Sequence, residues 1–216
     1  MVEERKNPSG PAWESRGALG MGGAFLGTVR ESCLRPAAFF RSLGPAGNAM
    51  DAALYGIGIL LITALVQVAW AFVITPIPFL ILARQGIAPE VPAALLAFTS
   101  WVRILVAPIA AVVTFFLLAG LFHGGLILLG AARRPFETTF RAVCYSTGPL
   151  LLSLVPFCGE PVGKIWTLVL VIIGLKECHE TTAGKAIVAV LLPVIVLGGC
   201  CGTILWAALL GRLFSG

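Results

Sequence analysis

AALYGIGILLITALVQVAWAFVIT, residues 52–75, runs 24 positions without a charged side chain. As an α-helix it extends roughly 36 Å at about 1.5 Å per residue, enough to cross a hydrocarbon core about 30 Å thick with some tilt. In water such a helix would have to bury every side in a large core. The rest of the chain makes that untenable: of its 216 residues 58% are hydrophobic and only 12% charged, against about 25% charged in soluble domains. Lipid tails accept apolar side chains on the outside of a fold, and a helix satisfies its own backbone hydrogen bonds there. The stretch therefore sets the class as an all-α integral membrane protein.

Working outward, four more apolar runs follow, at about 104–130, 143–157, 161–175 and 186–211. The second is long and contains Pro108. The third and fourth are some 15 residues each, about 23 Å, which is below comfortable spanning length. They are read as two thin crossings or as a re-entrant hairpin, and both return the chain to the side it left. Toward the amino terminus, residues 1–20 are polar and rich in Gly, Pro and Ser, and disorder is expected there. These twenty residues have no apolar core of signal-peptide type, so insertion is expected to start from an internal helix. Residues 21–45 place Phe25, Val29, Cys33, Pro36, Phe40 and Leu43 at helical spacing with Arg30, Glu31 and Arg41 off that face. This predicts an amphipathic interfacial segment, or else a capping helix on the bundle, broken or kinked at Pro36. Residues 46–216 then form one five-helix membrane domain.

Charge and tryptophan fix an expected orientation. Eleven of the 15 Lys and Arg residues fall in the amino-terminal segment, in 131–142 and in 176–185; four fall in the alternate connections. Basic loops stay cytoplasmic, so the amino terminus is expected inside and the carboxyl terminus outside. Trp70, Trp101, Trp166 and Trp206 all fall toward the outer interface in that topology, where indole rings prefer to sit. The net charge of +5 then reads as contact with anionic headgroups. No basic stripe interleaved with aromatics suggests nucleic acid.

Candidates for chemistry are few. His123 lies toward the cytoplasmic end of the second run, with no Asp or Glu in any run to complete a proton relay, and reads as structural. His179 follows Cys178 in a charged connection, and one Cys with one His falls short of a zinc ligand set. The six cysteines contain no Cys-x-x-Cys pair. Ser146 and Ser153 have no base at useful spacing. Glu137 can pair with Arg141 at i,i+4. Gly120-x-x-x-Gly124 and Gly198-x-x-x-Gly202 read as helix-packing surfaces. No catalytic, cofactor-binding or metal residue is assigned, and the chain is expected not to be an enzyme.

Residues 140–193, FRAVCYSTGPLLLSLVPFCGEPVGKIWTLVLVIIGLKECHETTAGKAIVAVLLP, resemble the Yip-type (Ypt/Rab-interacting protein) domain family in its bacterial branch. The resemblance rests on Tyr145-Ser146 followed by Pro149, on Pro156 before a short turn, and on Gly174-Leu-Lys176-Glu177. Gly184-Lys185 leading into a last helix with Pro193 completes the pattern, and upstream LRPAAFFRSL is similar to the pre-membrane stretch of such members. The acidic Asp-Leu-Tyr-Gly-Pro stretch of eukaryotic members is missing. The resemblance implies five spans with a cytoplasmic amino terminus. For bacterial members it supplies a fold and no established activity; the expectation set beside it is a non-enzymatic scaffold or adaptor in the bacterial inner (plasma) membrane, binding other membrane proteins or lipid, or self-associating. The rival expectation is a small transporter or channel for a neutral or apolar solute between the kinked helices of 143–175.

Overall fold

The computed structural model describes residues 10–44, 47–74 and 93–193, together with the isolated positions 84 and 195. Expectations for residues 1–9, for 75–83 and 85–92 between the first two runs, for residues beyond Pro193 in the last run, for Cys200, Cys201 and Trp206, and for the Gly198–Gly202 pair lie outside the described residues; residues 93–101, expected as part of a loop over 76–101, are instead the first turns of a helix. Among those described, no strand occurs. A 3-10 turn, Ala12–Ser15, leads into α1 (Arg16–Leu19), α2 (Met21–Leu34) and α3 (Pro36–Ser42). Then come α4 (Ala49–Ile74), α5 (Ala93–Leu128), α6 (Phe136–Tyr145), a second 3-10 turn at Gly148–Leu154, α7 (Gly159–Cys178) and α8 (Ala183–Pro193).

Among the described residues two helices are long and apolar enough to cross a membrane, all of α4 and the Ile104–Leu128 part of α5. Both coincide with the first two runs of the sequence. In a soluble protein such helices would be core, yet Leu65, Phe72, Leu105, Ile109, Leu117 and Leu128 stand exposed on them. Exposed apolar surface on this scale calls for lipid or another protein. Pro108 is accommodated inside α5.

The amino-terminal expectation is corrected from residue 10 onward: residues 10–19 are folded onto the bundle. Trp13 is the anchor. Its ring lies against Phe25 and Tyr55, with centroids 6.1 Å from each. Its indole N–H donates to the Asp51 carbonyl at 2.8 Å and its backbone N–H to Thr28 Oγ1 at 2.8 Å. One large amphipathic ring with both ends satisfied outweighs the disorder suggested by its Gly, Pro and Ser neighbours.

Residues 21–42 cap the bundle. The helix breaks at Arg35, because the residue before a proline is pushed out of the α region, and Pro36 opens α3. α2 buries Ala24, Thr28 and Ser32, flanked by the partly buried Phe25, Val29 and Cys33. Met21, Leu26 and Leu34 stay exposed on its other side.

The third run, 143–157, is not one helix. Its first residues close α6, which begins at Phe136. The Ser146 hydroxyl donates back to the Ala142 carbonyl at 2.7 Å, and Thr147 to Cys144 at 2.7 Å. Such bonds compete with helix propagation, and Pro149 has no N–H to continue it. The fourth run is longer than its apolar core suggests: α7 has 20 residues, about 30 Å. Its charged ends extend it, Glu160 and Lys164 pairing at 2.6 Å at one end and Lys176 and Glu177 at 2.8 Å at the other. α7 packs back along the second 3-10 turn, where Gly163 leaves room for the Pro149 carbonyl; a Cβ there would stand 2.7 Å from that oxygen.

Candidate functional site

Charged and polar side chains gather where α3, the α5–α6 connection, α6 and the end of α7 meet. Leu43 lies six residues before α4 and Arg134 six after α5. Both line one groove, so the start of one candidate span and the end of the other share this end of the molecule.

Arg141 is the most deeply buried Lys, Arg, Asp or Glu among the described residues, 1% exposed. The expected i,i+4 pair with Glu137 does not form. The helix register turns Arg141 inward, where Nη2 donates to Glu14 Oε1 at 2.9 Å and Nη1 to the Gly44 carbonyl at 2.8 Å. Tyr145 Oη donates to the same Glu14 oxygen at 3.0 Å. A buried guanidinium is tolerable only with such partners. Glu14 therefore ties the amino-terminal segment to α6.

The two histidines, far apart in sequence, are joined through one hydroxyl. Thr139 Oγ1 lies 2.8 Å from His123 Nδ1 and 2.8 Å from His179 Nε2. The Arg134 N–H donates to His179 Nδ1 at 3.2 Å. That contact fixes the proton order for a neutral His179. Nδ1 accepts, so Nε2 carries the proton and donates to Thr139. The hydroxyl proton of Thr139 is left for His123 Nδ1. Burial, followed by the neighbouring His123 and Arg134, lowers the His179 pKa to about 4. A protonated His179 would turn a second N–H toward the Arg134 amide.

The groove encloses about 430 Å³ and is lined by Arg41, Arg134, Lys176, Glu177 and Glu180, over Phe40, Leu43 and Cys178. Arg41 Nε donates to Glu177 Oε2 at 2.6 Å, Lys176 Nζ to Glu177 Oε1 at 2.8 Å, and Arg134 Nη2 to Glu180 Oε1 at 2.5 Å. The Arg41 hydrogen bond, then that of Lys176, holds the Glu177 carboxyl below its usual range. α7 ends in a Schellman motif: the Thr181 N–H reaches the Lys176 carbonyl at 3.0 Å and the Glu180 N–H reaches Glu177 at 3.4 Å. Position C′ of that motif is left-handed and favours glycine; here it is Glu180, at φ 51°.

The pattern residues divide among these places. Tyr145 and Ser146 are buried, and Pro149 opens the second 3-10 turn. Pro156 lies in the turn before α7. Gly174 lets Phe40 of α3 approach; a Cβ would stand 3.1–3.3 Å from its ring. Lys176 and Glu177 face the groove. Gly174 and Glu177, one turn apart on α7, therefore grip Phe40 and Arg41 of α3. Gly184 and Lys185 are exposed at the start of α8, and Pro193 closes it. Sequence reasoning missed Trp13, Glu14, Arg141 and Thr139 as partners. The one available signal was a tryptophan in an otherwise polar tail. Among the described residues no cluster of three or more His, Cys, Asp or Glu side chains could hold a metal ion.

The family model for the Yip1 domain matches residues 31–205. No curated protein and no solved structure matches the chain.

Proposed function

The chain belongs to the Yip1 domain family, and on that premise we propose that it is a non-enzymatic, multi-pass membrane scaffold or adaptor that binds other membrane proteins or lipid. One observation carries this reading. A charged groove built from three separate segments sits at one end of two apolar helices, whose flanks stand exposed. Such a molecule presents a lipid- or protein-facing wall and a polar docking face together. We place the groove on the cytoplasmic side of a bacterial inner membrane, with five crossings and an external carboxyl terminus, following the distribution of Lys and Arg.

The test is recovery of the full chain from membranes in mild detergent, with identification of co-purifying membrane proteins. A reproducible set is expected, depleted severalfold by the double charge reversal Arg41→Glu with Lys176→Glu. Reconstituted vesicles are expected to show no protein-dependent flux of neutral solutes. Flux, with no partner retained, would replace this reading by that of a transporter or channel.

A further inference from the structure

We infer that the groove between α3, the α5–α6 connection and α7 binds the phosphate of an anionic lipid headgroup. This deepens the proposed lipid-binding role and rests on it. Three cations reach the groove from three elements, Arg41 from α3, Arg134 from the connection and Lys176 from α7. Converging cations from segments remote in sequence are a product of the fold, unlike a run of basic residues in one loop. Each guanidinium commits a single side-chain N–H to a carboxylate, Arg41 through Nε and Arg134 through Nη2. Each keeps most of its five donors for a second acceptor.

The two carboxylates in the groove compete unequally with an incoming anion. Glu180 is 65% exposed, and an ion pair so open to water contributes little, whereas Glu177 is 9% exposed and stays bridged by Arg41 and Lys176, which meet a phosphate only through the donors it leaves unused. A phosphate presents oxygens in the geometry a guanidinium fork matches bidentately. Glu177 and Glu180, with the electronegative carboxyl-terminal end of α7, oppose an incoming anion. The site therefore depends on Glu180 swinging into water. Glu180 holds a left-handed backbone at the rim, where an L-residue other than Asn or Asp is uncommon.

Position selects lipid over free phosphate. The groove adjoins the ends of α4 and α5, so it lies at headgroup level if those helices cross the bilayer. Its volume of about 430 Å³ is in the range of small-ligand pockets, about 300–1,000 Å³. Basic pockets beside spanning helices are a known means of holding anionic headgroups.

The experiment titrates the delipidated full chain, in neutral detergent, with phosphatidylglycerol and with phosphatidylcholine, counting bound lipids by native mass spectrometry. Wild type is expected to retain one phosphatidylglycerol in preference to phosphatidylcholine. Arg41→Ala and Arg134→Ala are each expected to weaken that retention roughly tenfold, the loss of a charged hydrogen bond. Glu180→Gln is expected to strengthen it, a gain that misfolding cannot produce. Unchanged retention in both arginine variants, or weaker retention in Glu180→Gln, would overturn the assignment. Equal displacement of the lipid by millimolar inorganic phosphate would overturn the choice of lipid. Co-purifying proteins are followed in the same preparations, so loss of lipid with partners intact is distinguishable from failure of the scaffold reading.

Discussion

His179 links the stability of this fold to pH. Its pKa of about 4 in the folded chain lies below the ordinary value near 6.5. The unfolded chain therefore takes up the proton first on acidification. Stability from this group is complete above about pH 6.5 and declines as pH falls toward 4, by up to about 3 kcal/mol. Thermal unfolding in detergent from pH 7.5 to 4.5 should show this decline, and His179→Gln should flatten it. A parallel decline in the variant would place the acid sensitivity elsewhere. Arg141 sets a second test. Arg141→Met removes one partner of a buried pair and leaves Glu14 and Tyr145 facing each other, a loss of about 3–5 kcal/mol. Limited proteolysis should then release the amino-terminal segment, whereas Glu137→Ala, one turn away and exposed, should leave it bound.

The elements are held by close approaches that composition does not announce. Gly163 admits the Pro149 carbonyl between α7 and the second 3-10 turn, and that contact sets how the returning helix lies. Gly163→Ala pushes a methyl into a backbone oxygen that cannot rotate away, and overpacking of this kind costs about 1–3 kcal/mol. Gly184→Ala, in α8 with open space around its Cα, should be neutral or slightly stabilising. Melting both variants in detergent checks the contrast, and equal effects would show that the α7 contact yields. The short third run illustrates a related point. Hydropathy sees VCYSTGPLLLSLVPF as one apolar stretch, but Ser146 and Thr147 turn their hydroxyls onto carbonyls of the preceding turn and Pro149 offers no N–H to continue the helix.

For the whole molecule, the proposed orientation makes definite demands. Reporter fusions after residue 45, within 131–140 and within 178–184 should read cytoplasmic, and fusions within 84–92 and after Gly216 external. A cytoplasmic reading after Gly216 would rule out five crossings. The exposed Cys158, in a variant without the other five cysteines, should react with an impermeant thiol reagent from outside if the hairpin of 143–175 crosses. The sequence by itself determined the helical class, the two longest apolar helices and the family, because these follow from uninterrupted apolar length and from the order of short motifs along one chain. Only the tertiary structure decided that Glu14 neutralises Arg141, that His123 and His179 share the hydroxyl of Thr139, and that Arg41, Arg134 and Lys176 line one groove. Those partners are separated by 127, 16, 40 and more residues along the chain. Helical periodicity relates positions three or four apart and carries no signal over such distances.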